Sequence, residues 1–391
     1  MNSPRAECPV CGSQRTEPVL HLPQIPVFCN LLWPERPAAL AAPRGDMRLG
    51  LCNDCGHLFN QAFDPGLMTY DQAYENSLHF SPSFQRYARG LAETLVERYD
   101  LHGKDIIEIG CGQGDFLGML CELGNNRGVG FDPAYVEEGA LPPNVTIIPD
   151  YYSEKYASHR ADFLVSRHVI EHLARPRAFA AMLRRVMAHR PDAVLFIEAP
   201  SADYMVAHTA LWDIIYEHYA YFGRASMTRL FEDAGFQTLD LYETFGGQYL
   251  CLEARPAASS GQPATGRADV TAWRDQVRDF ARSARAEIAR WRRELERLAA
   301  ANKRVVVWGA GSKGVMFLNL LPPQARLIDF VVDINPRKQG KFVAGAGQQI
   351  VSPDFLRDYR PDVIILMNRN YQDEIQEMAA ALGLSPEFRF V

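Results

Sequence analysis

Four cysteines stand in two short motifs whose spacing is typical of a metal site. Each motif is a Cys-x-x-Cys pair followed by a glycine, and 40 residues separate the two pairs. The pairs are Cys8 with Cys11 and Cys52 with Cys55. Four thiolates complete the tetrahedral coordination of Zn²⁺ and leave no open position, so the pattern predicts a structural zinc site. Two unrelated buried pairs are the alternative interpretation.

Residues 212–222 concentrate titratable groups that could perform acid–base chemistry. Glu217, His218 and three tyrosines, one of them Tyr216, stand within six consecutive residues. Because an unperturbed histidine titrates near pH 6.5, His218 can act as a base at neutral pH, and the adjacent Glu217 carboxylate would orient its ring. An aromatic-rich packing segment with a satisfied histidine is the alternative.

Two more polar segments supply candidate site residues. His168 and His172 follow a predicted strand, at the edge where open α/β sheets place their sites. Tyr74 and Asn76 precede the first predicted helix and could close over a substrate. A polar entry loop is the alternative interpretation of this second segment.

A first glycine-rich turn follows a predicted strand and opens a helix. It contains Glu108, Gly110, Cys111, Gly112 and Gly114. The glycines allow the backbone to approach a ligand closely. Asp132 ends the next predicted strand, where a carboxylate can accept hydrogen bonds from both ribose hydroxyls. This Gly-x-Gly-x-Gly pattern predicts a nucleoside site, and by itself it fits NAD as well as other nucleosides.

A second glycine-rich turn, over residues 309–314, has the Gly-x-Gly-x-x-Gly pattern of dinucleotide-binding folds. Asp333 closes the following predicted strand, and Lys313 beside Ser312 could pair with a phosphate. Arg337 belongs to a basic turn shortly afterwards. The pattern favours a phosphorylated ligand over a structural remnant.

Alternating strands and helices must position these groups. Apolar strand-like runs separated by helical segments predict a parallel doubly wound sheet around the first glycine turn and a second α/β unit from Arg304 onward. Apolar residues at steps of three and four over 270–298 predict an amphipathic helix of about eight turns. A Pro/Gly-rich stretch over 255–268 predicts a linker or a solvent-exposed loop. The expected divisions are 1–66, 67–255, 256–302 and 303–391.

The composition is that of a globular protein. Hydrophobic residues make up 47% and charged residues 23% of the 391 residues, which excludes a disordered or fibrous class. A net charge of −6 without a concentrated basic face argues against nucleic-acid binding. No stretch reaches the roughly 18 apolar residues needed to span a bilayer, and residues 1–11 have no apolar core of signal-peptide length. We therefore expect a cytoplasmic protein, in whose reducing environment the eight cysteines are metal ligands or buried thiols. The oligomeric state is left open.

The acidic residue two positions before the first glycine and the Cys-Gly centre of the first turn resemble class I S-adenosylmethionine-dependent methyltransferases. Over nearly its full length the chain also resembles the three-domain sugar C-methyltransferases, which act on nucleotide-linked keto-deoxysugars. The matching segments are the two cysteine pairs, residues 108–114, Glu217 with His218, residues 308–314 and residues 332–341. The resemblance implies a class I methyltransferase sheet flanked by an N-terminal zinc-binding domain and a C-terminal Rossmann-like domain.

The resemblance also implies roles for individual residues. S-adenosylmethionine would lie on the first glycine turn, with Asp132 on its ribose, Asp150 near its adenine and His168 beside it. His218 would remove the proton alpha to a ketone, with Glu217 as its neighbour. The enolate oxygen would receive a hydrogen bond from one of three candidates, which are Tyr74, His172 and Tyr216. The substrate's nucleotide would lie between the central and C-terminal domains, near Asn76, Ser312, Lys313, Asp333 and Arg337.

Other functions stay open on sequence grounds. The chain has Ile215 and His168 where the family usually has tyrosine and asparagine, so the acceptor atom is not fixed. An O- or N-methyltransferase acting on a polysaccharide or natural-product precursor is the first alternative. A non-catalytic nucleotide-binding scaffold and a dehydrogenase using NAD at the second turn are the others.

Overall fold

The computed structural model describes residues 7–68, 75–137, 141–258, 270–322 and 324–391. Its strands are β1 (Thr16–Pro26), β2 (Arg44–Cys52), β3 (Leu58–Asn60), β4 (Asp105–Ile109), β5 (Arg127–Phe131), β6 (Val145–Ile148), β7 (Phe163–Arg167), β8 (Val194–Pro200), β9 (Ala220–Tyr221), β10 (Phe236–Thr244), β11 (Tyr249–Pro256), β12 (Val305–Trp308), β13 (Phe330–Val332), β14 (Gln349–Val351), β15 (Val363–Leu366) and β16 (Glu387–Phe390).

The helices of the described residues are α1 (Arg36–Leu40), α2 (Pro82–Arg98), α3 (Asp115–Gly124), α4 (Pro176–Val186), α5 (Ala202–Ala207), α6 (Arg224–Asp233), α7 (Thr271–Ala300), α8 (Ser312–Leu320), α9 (Leu356–Tyr359) and α10 (Gln372–Ala381). None of these helices is both long and apolar enough to cross a bilayer. Most of the predicted linker over 255–268 lies outside the described residues.

The central sheet has the strand order β10-β11-β8-β7-β4-β5-β6. Strands β4 to β8 run parallel, and β11 is antiparallel to both β8 and β10. The parallel part is the doubly wound sheet expected from the sequence, whose strands are buried on both faces and read as continuous apolar runs. The β10–β11 hairpin was not expected. In this topology the first glycine turn, Asp132 and His168 all come to one edge, the carboxyl ends of β4, β5 and β7.

A five-stranded parallel sheet with the order β14-β13-β12-β15-β16 contains the second glycine turn. The turn joins β12 to α8, so its glycines and Asp333 lie at the carboxyl ends of β12 and β13. This is the Rossmann-like arrangement expected for the C-terminal part of the chain.

The cysteine-rich part of the chain forms an antiparallel sheet with the order β1-β2-β3-β9. Its last strand, β9, comes from residues 220–221, far beyond the expected N-terminal segment, and pairs Leu58 with Tyr221. Residue 222 then bridges to Ser201 at the end of β8. The short segment after His218 therefore ties the N-terminal sheet to the central sheet.

Helix α7 lies between the N-terminal and C-terminal sheets, as its amphipathic pattern indicates. It buries one apolar face that includes Val277, Phe280 and Trp291. Apolar residues of β1, β2, α7, β12 and β15 belong to one continuous core cluster. The N-terminal sheet, α7 and the C-terminal sheet consequently share a hydrophobic core rather than packing as separate units.

Candidate active site

The four predicted metal ligands meet at one point beside the N-terminal sheet. The Sγ atoms of Cys8, Cys11, Cys52 and Cys55 all lie within 4.8 Å of one another. Two of the separations are 3.6 Å and 3.5 Å, close to the edge of about 3.8 Å that Zn–S bonds of about 2.3 Å give in a tetrahedron. All four are free cysteines. The geometry and the chemistry of this donor set therefore fit a closed Zn²⁺ site.

Two similar turns present these thiols. The amide of Gly12 donates to the carbonyl of Cys8, and the amide of Gly56 donates to the carbonyl of Cys52, each at 2.9 Å. Both glycines have positive φ angles, near +75° and +72°, which a residue with a Cβ rarely adopts. The sequence Cys-x-x-Cys-Gly thus folds each pair into a tight turn with both sulfurs on one side.

The first glycine turn leaves β4 and enters α3, and its three glycines all have positive φ angles. Asp132 at the end of β5 holds this turn. Its carboxylate accepts hydrogen bonds from the amides of Gly112 at 2.8 Å and Ala134 at 2.9 Å. Cys111 is buried inside the turn, and burial with the charge of Glu108 raises the pKa of its thiol well above the usual range. The turn is a narrow cradle at the N-terminus of a helix, a typical position for a bound carboxylate.

Glu108 lies next to the first glycine turn, and one of its carboxylate oxygens is available for a hydrogen bond. It is 2% exposed, and its Oε2 has no hydrogen-bond partner among the described residues. Burial raises the pKa of Glu108 to about 8. A buried acceptor without a partner is costly, so a cationic or hydrogen-bond-donating ligand would satisfy it. These features fit the amino-acid part of S-adenosylmethionine, whose ammonium donates and whose carboxylate accepts.

Replacing Gly110 with alanine is expected to lower the affinity for S-adenosylhomocysteine at least about 100-fold, which corresponds to about 2.7 kcal/mol. A Cβ on Gly110 would lie 2.2 Å from Cγ2 of Val169, and the φ angle of +73° adds strain. Titration calorimetry measures the affinity. The matched control is Gly103→Ala, since Gly103 has a similar φ of +65° but no atom within 4 Å of the added Cβ. Equal losses in both variants would contradict a specific role for the turn.

Asp150, the predicted adenine neighbour, lies near the end of β6 and is already engaged. It forms an ion pair with Lys155 and accepts a hydrogen bond from the hydroxyl of Tyr156 at 2.7 Å. These two contacts lower the pKa of Asp150 to about 2. The carboxylate is therefore charged and fixed on the rim of the edge where Asp132 also lies, and its contact with adenine stays a prediction.

His168, at the end of β7, is held between two buried acids. Its Nε2 lies 2.9 Å from Glu198, and its Nδ1 lies 3.6 Å from Glu171. Burial opposes a charge on the ring, but these two carboxylates raise the pKa of His168 to about 9. The residue has a φ of +55°, and asparagine and histidine are among the residues enriched in this left-handed region. That conformation explains how histidine can stand where the resembling family usually has asparagine.

One large cavity, about 330 Å³, lies between the central and C-terminal sheets. Its lining brings together four side chains from the central part, namely His168, Glu171, His172 and His218. Its opposite wall is the second glycine turn with neighbouring side chains, namely Ser312, Lys313, Asp333 and Lys338. Groups that are far apart in sequence thus face a single space large enough for a small organic molecule.

His218 lines this cavity and is half-buried. Its Nδ1 is buried and has no hydrogen-bond partner among the described residues. Burial, followed by the neighbouring His172, lowers the pKa of His218 to about 3. The rings of His172 and His218 lie 5.0 Å apart. His218 is therefore neutral across the physiological range and can accept a proton.

Glu217 does not orient the ring of His218, contrary to the expectation from their adjacency. The carboxylate is fully buried on the other side of the chain, where it accepts a hydrogen bond from the amide of Cys29 at 3.0 Å. Its backbone carbonyl instead contacts Nδ1 of His172 at 2.9 Å. Glu171 is the carboxylate close to both rings, since Glu171, His172 and His218 offer ligand atoms within 4.8 Å of one another.

The three candidate hydrogen-bond donors for an enolate, Tyr74, His172 and Tyr216, have different outcomes. Tyr216 is fully buried outside the cavity, and its hydroxyl accepts a hydrogen bond from the amide of Asp64 at 2.8 Å. Its expected place at the substrate was therefore wrong. Tyr74 lies outside the described residues. His172 does line the cavity, as does Asn76.

The second glycine turn contributes three predicted residues to the cavity. Asp333 accepts hydrogen bonds from the amides of Ala310 and Asn335, each at 2.8 Å, much as Asp132 does at the first turn. Lys313 forms an ion pair with Asp213, and both line the cavity together with Ser312. Arg337, in contrast, is not part of the cavity lining and pairs with Glu75 at 3.0 Å.

Lys338 is a cavity residue that the sequence did not single out. It is 6% exposed, and within the described residues its Nζ contacts two neutral oxygens, Oδ1 of Asn30 and the carbonyl of Ala310, each at 3.3 Å. None of the described carboxylates forms an ion pair with it. The basic run over 335–341 could have indicated Lys338 from the sequence. Glu171 lies in the polar segment after β7 that also contains His168 and His172. Asn30 had no signal, because only the tertiary structure brings the N-terminal region to this wall.

The sequence is similar to known methyltransferases over most of its length. A family model described as a methyltransferase domain matches residues 83–241, and one described as a C-methyltransferase C-terminal domain matches residues 267–385. The C-methyltransferase NovU of Streptomyces niveus is 27% identical over 393 residues, which cover 95% of this chain and 91% of that protein.

Similar solved structures include CalO1, described as a methyltransferase in calicheamicin biosynthesis in its S-adenosylhomocysteine-bound form. It is 13% identical over 44% of this chain and 55% of its own, with a TM-score of 0.36. The Burkholderia thailandensis 1,6-didemethyltoxoflavin-N1-methyltransferase, with 1,6-didemethyltoxoflavin and S-adenosylhomocysteine bound, is 17% identical over 52% of this chain and 97% of its own, with a TM-score of 0.34.

The two family matches and the full-length relative agree with the glycine turn, Asp132 and the central sheet. They support an enzyme rather than the scaffold or the dehydrogenase considered above. The chain therefore belongs to the S-adenosylmethionine-dependent C-methyltransferase family and is a class I methyltransferase.

Proposed function

We propose that this enzyme methylates the carbon alpha to the ketone of a nucleotide-linked keto-deoxysugar. The observation that carries the proposal is the single cavity that joins a histidine cluster on one wall to a glycine turn and two lysines on the other. A keto sugar with a phosphorylated nucleotide has two matching ends, an acidic carbon-bound proton and an anionic diphosphate.

The histidine wall supplies the proton chemistry. The lowered pKa keeps His218 neutral, so its ring can remove the alpha proton of a ketone held in the cavity. The imidazolium formed in this step is stabilised by Glu171, the carboxylate of the same cluster. The backbone carbonyl of Glu217 accepts a hydrogen bond from Nδ1 of His172 and so orients this ring, which makes Glu217 a positioning residue. A hydrogen bond from His172 would stabilise the enolate oxygen.

The opposite wall suits the nucleotide. Lys338 brings a buried positive charge whose described contacts are neutral, so a phosphate oxygen would be its natural counterion. The amides at the start of α8 and the ammonium of Lys313 lie along the same wall. Phosphate groups bind well at such glycine turns before helices.

The cofactor completes the reaction at the edge of the central sheet. S-adenosylmethionine supplies an electrophilic methyl group when it is bound. Residues 108–114 would hold its amino-acid part and Asp132 its ribose, and His168 would lie between that site and the cavity. The contribution of these residues is to hold the acceptor carbon in line with the methyl group.

We further propose that the four-cysteine cluster holds a structural Zn²⁺. The four sulfurs leave no open coordination position, so the ion would stabilise the fold rather than take part in methyl transfer.

The decisive experiment follows the substrate's alpha proton. Enzyme, S-adenosylhomocysteine and a nucleotide-linked keto-deoxysugar are incubated in deuterium oxide, and mass spectrometry follows the substrate. We expect deuterium at the alpha carbon without methylation, and a carbon-bound methyl group by NMR once S-adenosylmethionine is supplied. Methyl transfer to oxygen or nitrogen, without any exchange, would overturn the proposal in favour of an O- or N-methyltransferase.

A further inference from the structure

The histidine wall of the cavity has the composition of an open metal site. Glu171, His172 and His218 each offer one ligand atom, and these atoms lie within 4.8 Å of one another. Ligand atoms bound to one metal ion at about 2.1 Å lie roughly 3.4 Å from one another. Side-chain rotations that move each atom by up to about one ångström would bring the three atoms to this separation. The three residues come from two short segments, the turn after β7 and the turn before β9.

Two details favour ligation over simple packing. A carbonyl oxygen can only accept a hydrogen bond, so the contact of 2.9 Å means that Nδ1 of His172 donates to the carbonyl of Glu217, and Nε2 is the nitrogen of this ring that would bind a metal ion. This arrangement is the usual orientation of a metal-binding histidine. Glu171 is 2% exposed, and its Oε2 has no hydrogen-bond partner among the described residues. A buried carboxylate oxygen of this kind needs a cation or a donor.

We propose that Glu171, His172 and His218 bind one divalent transition-metal ion, such as Zn²⁺ or Co²⁺, and that the bound ion inhibits methyl transfer. Two imidazoles and one carboxylate suit these ions better than Mg²⁺ or Ca²⁺, which prefer oxygen ligands. Three protein ligands leave a coordination position that faces the cavity. The site is separate from the four-cysteine cluster, whose four sulfurs would complete the coordination of their own ion.

Inhibition follows from the electron pair that the ion would use. A coordinate bond to His218 occupies the lone pair that would otherwise accept the substrate's alpha proton. The ion also fills the space beside His172, where the enolate oxygen would lie. The inhibitory part of the inference rests on the proposed function, whereas the binding part does not depend on it.

Cobalt titration of the zinc-loaded protein tests the binding part. We expect one equivalent of Co²⁺ to bind beyond the zinc of the cysteine cluster, with visible absorption but no thiolate-to-cobalt charge-transfer band. Glu171→Gln and His172→Gln should each lose this equivalent, while the exposed-histidine control His102→Gln should keep it. Circular dichroism and S-adenosylhomocysteine binding verify that each variant is folded. Absence of the extra equivalent in the wild type, or its persistence in both site variants, would refute the site.

Activity measurements test the inhibitory part. Turnover should fall in proportion to the occupancy of the extra site by Zn²⁺ or Co²⁺ and return when the ion is diluted out. Unchanged or increased turnover at full occupancy would overturn the inhibition but leave the metal site standing. Turnover without added metal is measured in parallel, so that failure of the proposed function appears as inactivity in every sample.

Discussion

Replacing His218 with asparagine is expected to lower the turnover number by about 10²- to 10⁴-fold, the usual contribution of a positioned general base. The half-buried ring of His218 is the proposed base, and its lowered pKa keeps it neutral in the cavity, whereas asparagine cannot take up a proton at this place. The affinity for S-adenosylhomocysteine should stay nearly unchanged, because the glycine turn and Asp132 are separate from His218. Steady-state kinetics and calorimetry measure the two quantities. The deuterium exchange described above should disappear together with turnover.

The pH profile gives an independent check on the same residue. Because burial and His172 lower the pKa of His218 to about 3, the neutral, active form persists throughout the physiological range. Protonation of His218 in the free enzyme should therefore reduce kcat/KM only as the pH falls toward that value, not between pH 5 and 7. The control His102→Asn, at an exposed position, should behave as the wild type. Near-normal turnover or normal deuterium exchange in His218→Asn would show that the base lies elsewhere.

Removing the metal from the four-cysteine cluster is expected to lower the melting temperature by more than about 10 °C. Structural zinc sites contribute about 10–16 kcal/mol of apparent binding free energy in small peptides. Even a loss of about 5 kcal/mol would lower the melting temperature by roughly 10–20 °C in a cooperatively unfolding unit of about 150–250 residues. Calorimetry before and after chelation, with the zinc content measured by atomic absorption, provides the comparison.

The effect should extend to activity because of two contacts made by the second cysteine turn and its strand. The indole of Trp273 on α7 donates to the carbonyl of Gly56 at 2.8 Å. The amide of Asn60 in β3 donates to the carbonyl of Tyr219, directly after His218. Loss of the metal would loosen α7 and the segment that holds His218, so turnover should fall while binding of S-adenosylhomocysteine is largely retained.

Matched cysteine variants separate the metal site from general thiol chemistry. Cys52→Ser removes one ligand of the cluster and should reproduce the effect of chelation. Cys29→Ser makes the same chemical change at a buried cysteine outside the cluster and should keep the zinc content and most of the stability. Full zinc content in Cys52→Ser, or an unchanged melting temperature after chelation, would argue against the structural role.

Much of the fold was predictable because local patterns of apolar residues indicate its strands and helices. Apolar runs at regular intervals predicted β4 to β8 and β12, and the steps of three and four predicted α7. The β10–β11 hairpin and β9 were not predicted. Strands β10 and β11 mix polar with apolar residues and so lack the continuous apolar runs of the parallel strands. Strand β9 is only two residues long, so its existence depends on pairing with β3 rather than on its own sequence.

The candidate site was predictable where a residue lies next to a recognisable turn. Asp132 and the three glycines follow from the strand–turn–helix pattern, and His218 from the density of titratable groups around it. The proposed role of Glu217 came from its adjacency to His218 and from the family resemblance, and the role of Tyr216 came from the resemblance. The backbone turns the carboxylate of Glu217 toward Cys29 and the ring of Tyr216 toward Asp64, which only the packing of the N-terminal region against this segment decides.

The sequence alone determined the four-cysteine motif, the two glycine turns and the alternation that places them at strand ends, because tight turns and helix starts depend on neighbouring residues. The tertiary structure decided which side chains share the cavity. Glu171, His218 and Lys338 meet there because β9 joins the N-terminal sheet and α7 packs the C-terminal sheet against it. Contacts between distant segments are set by the burial of a common hydrophobic core, and no local pattern encodes which polar groups that burial brings together.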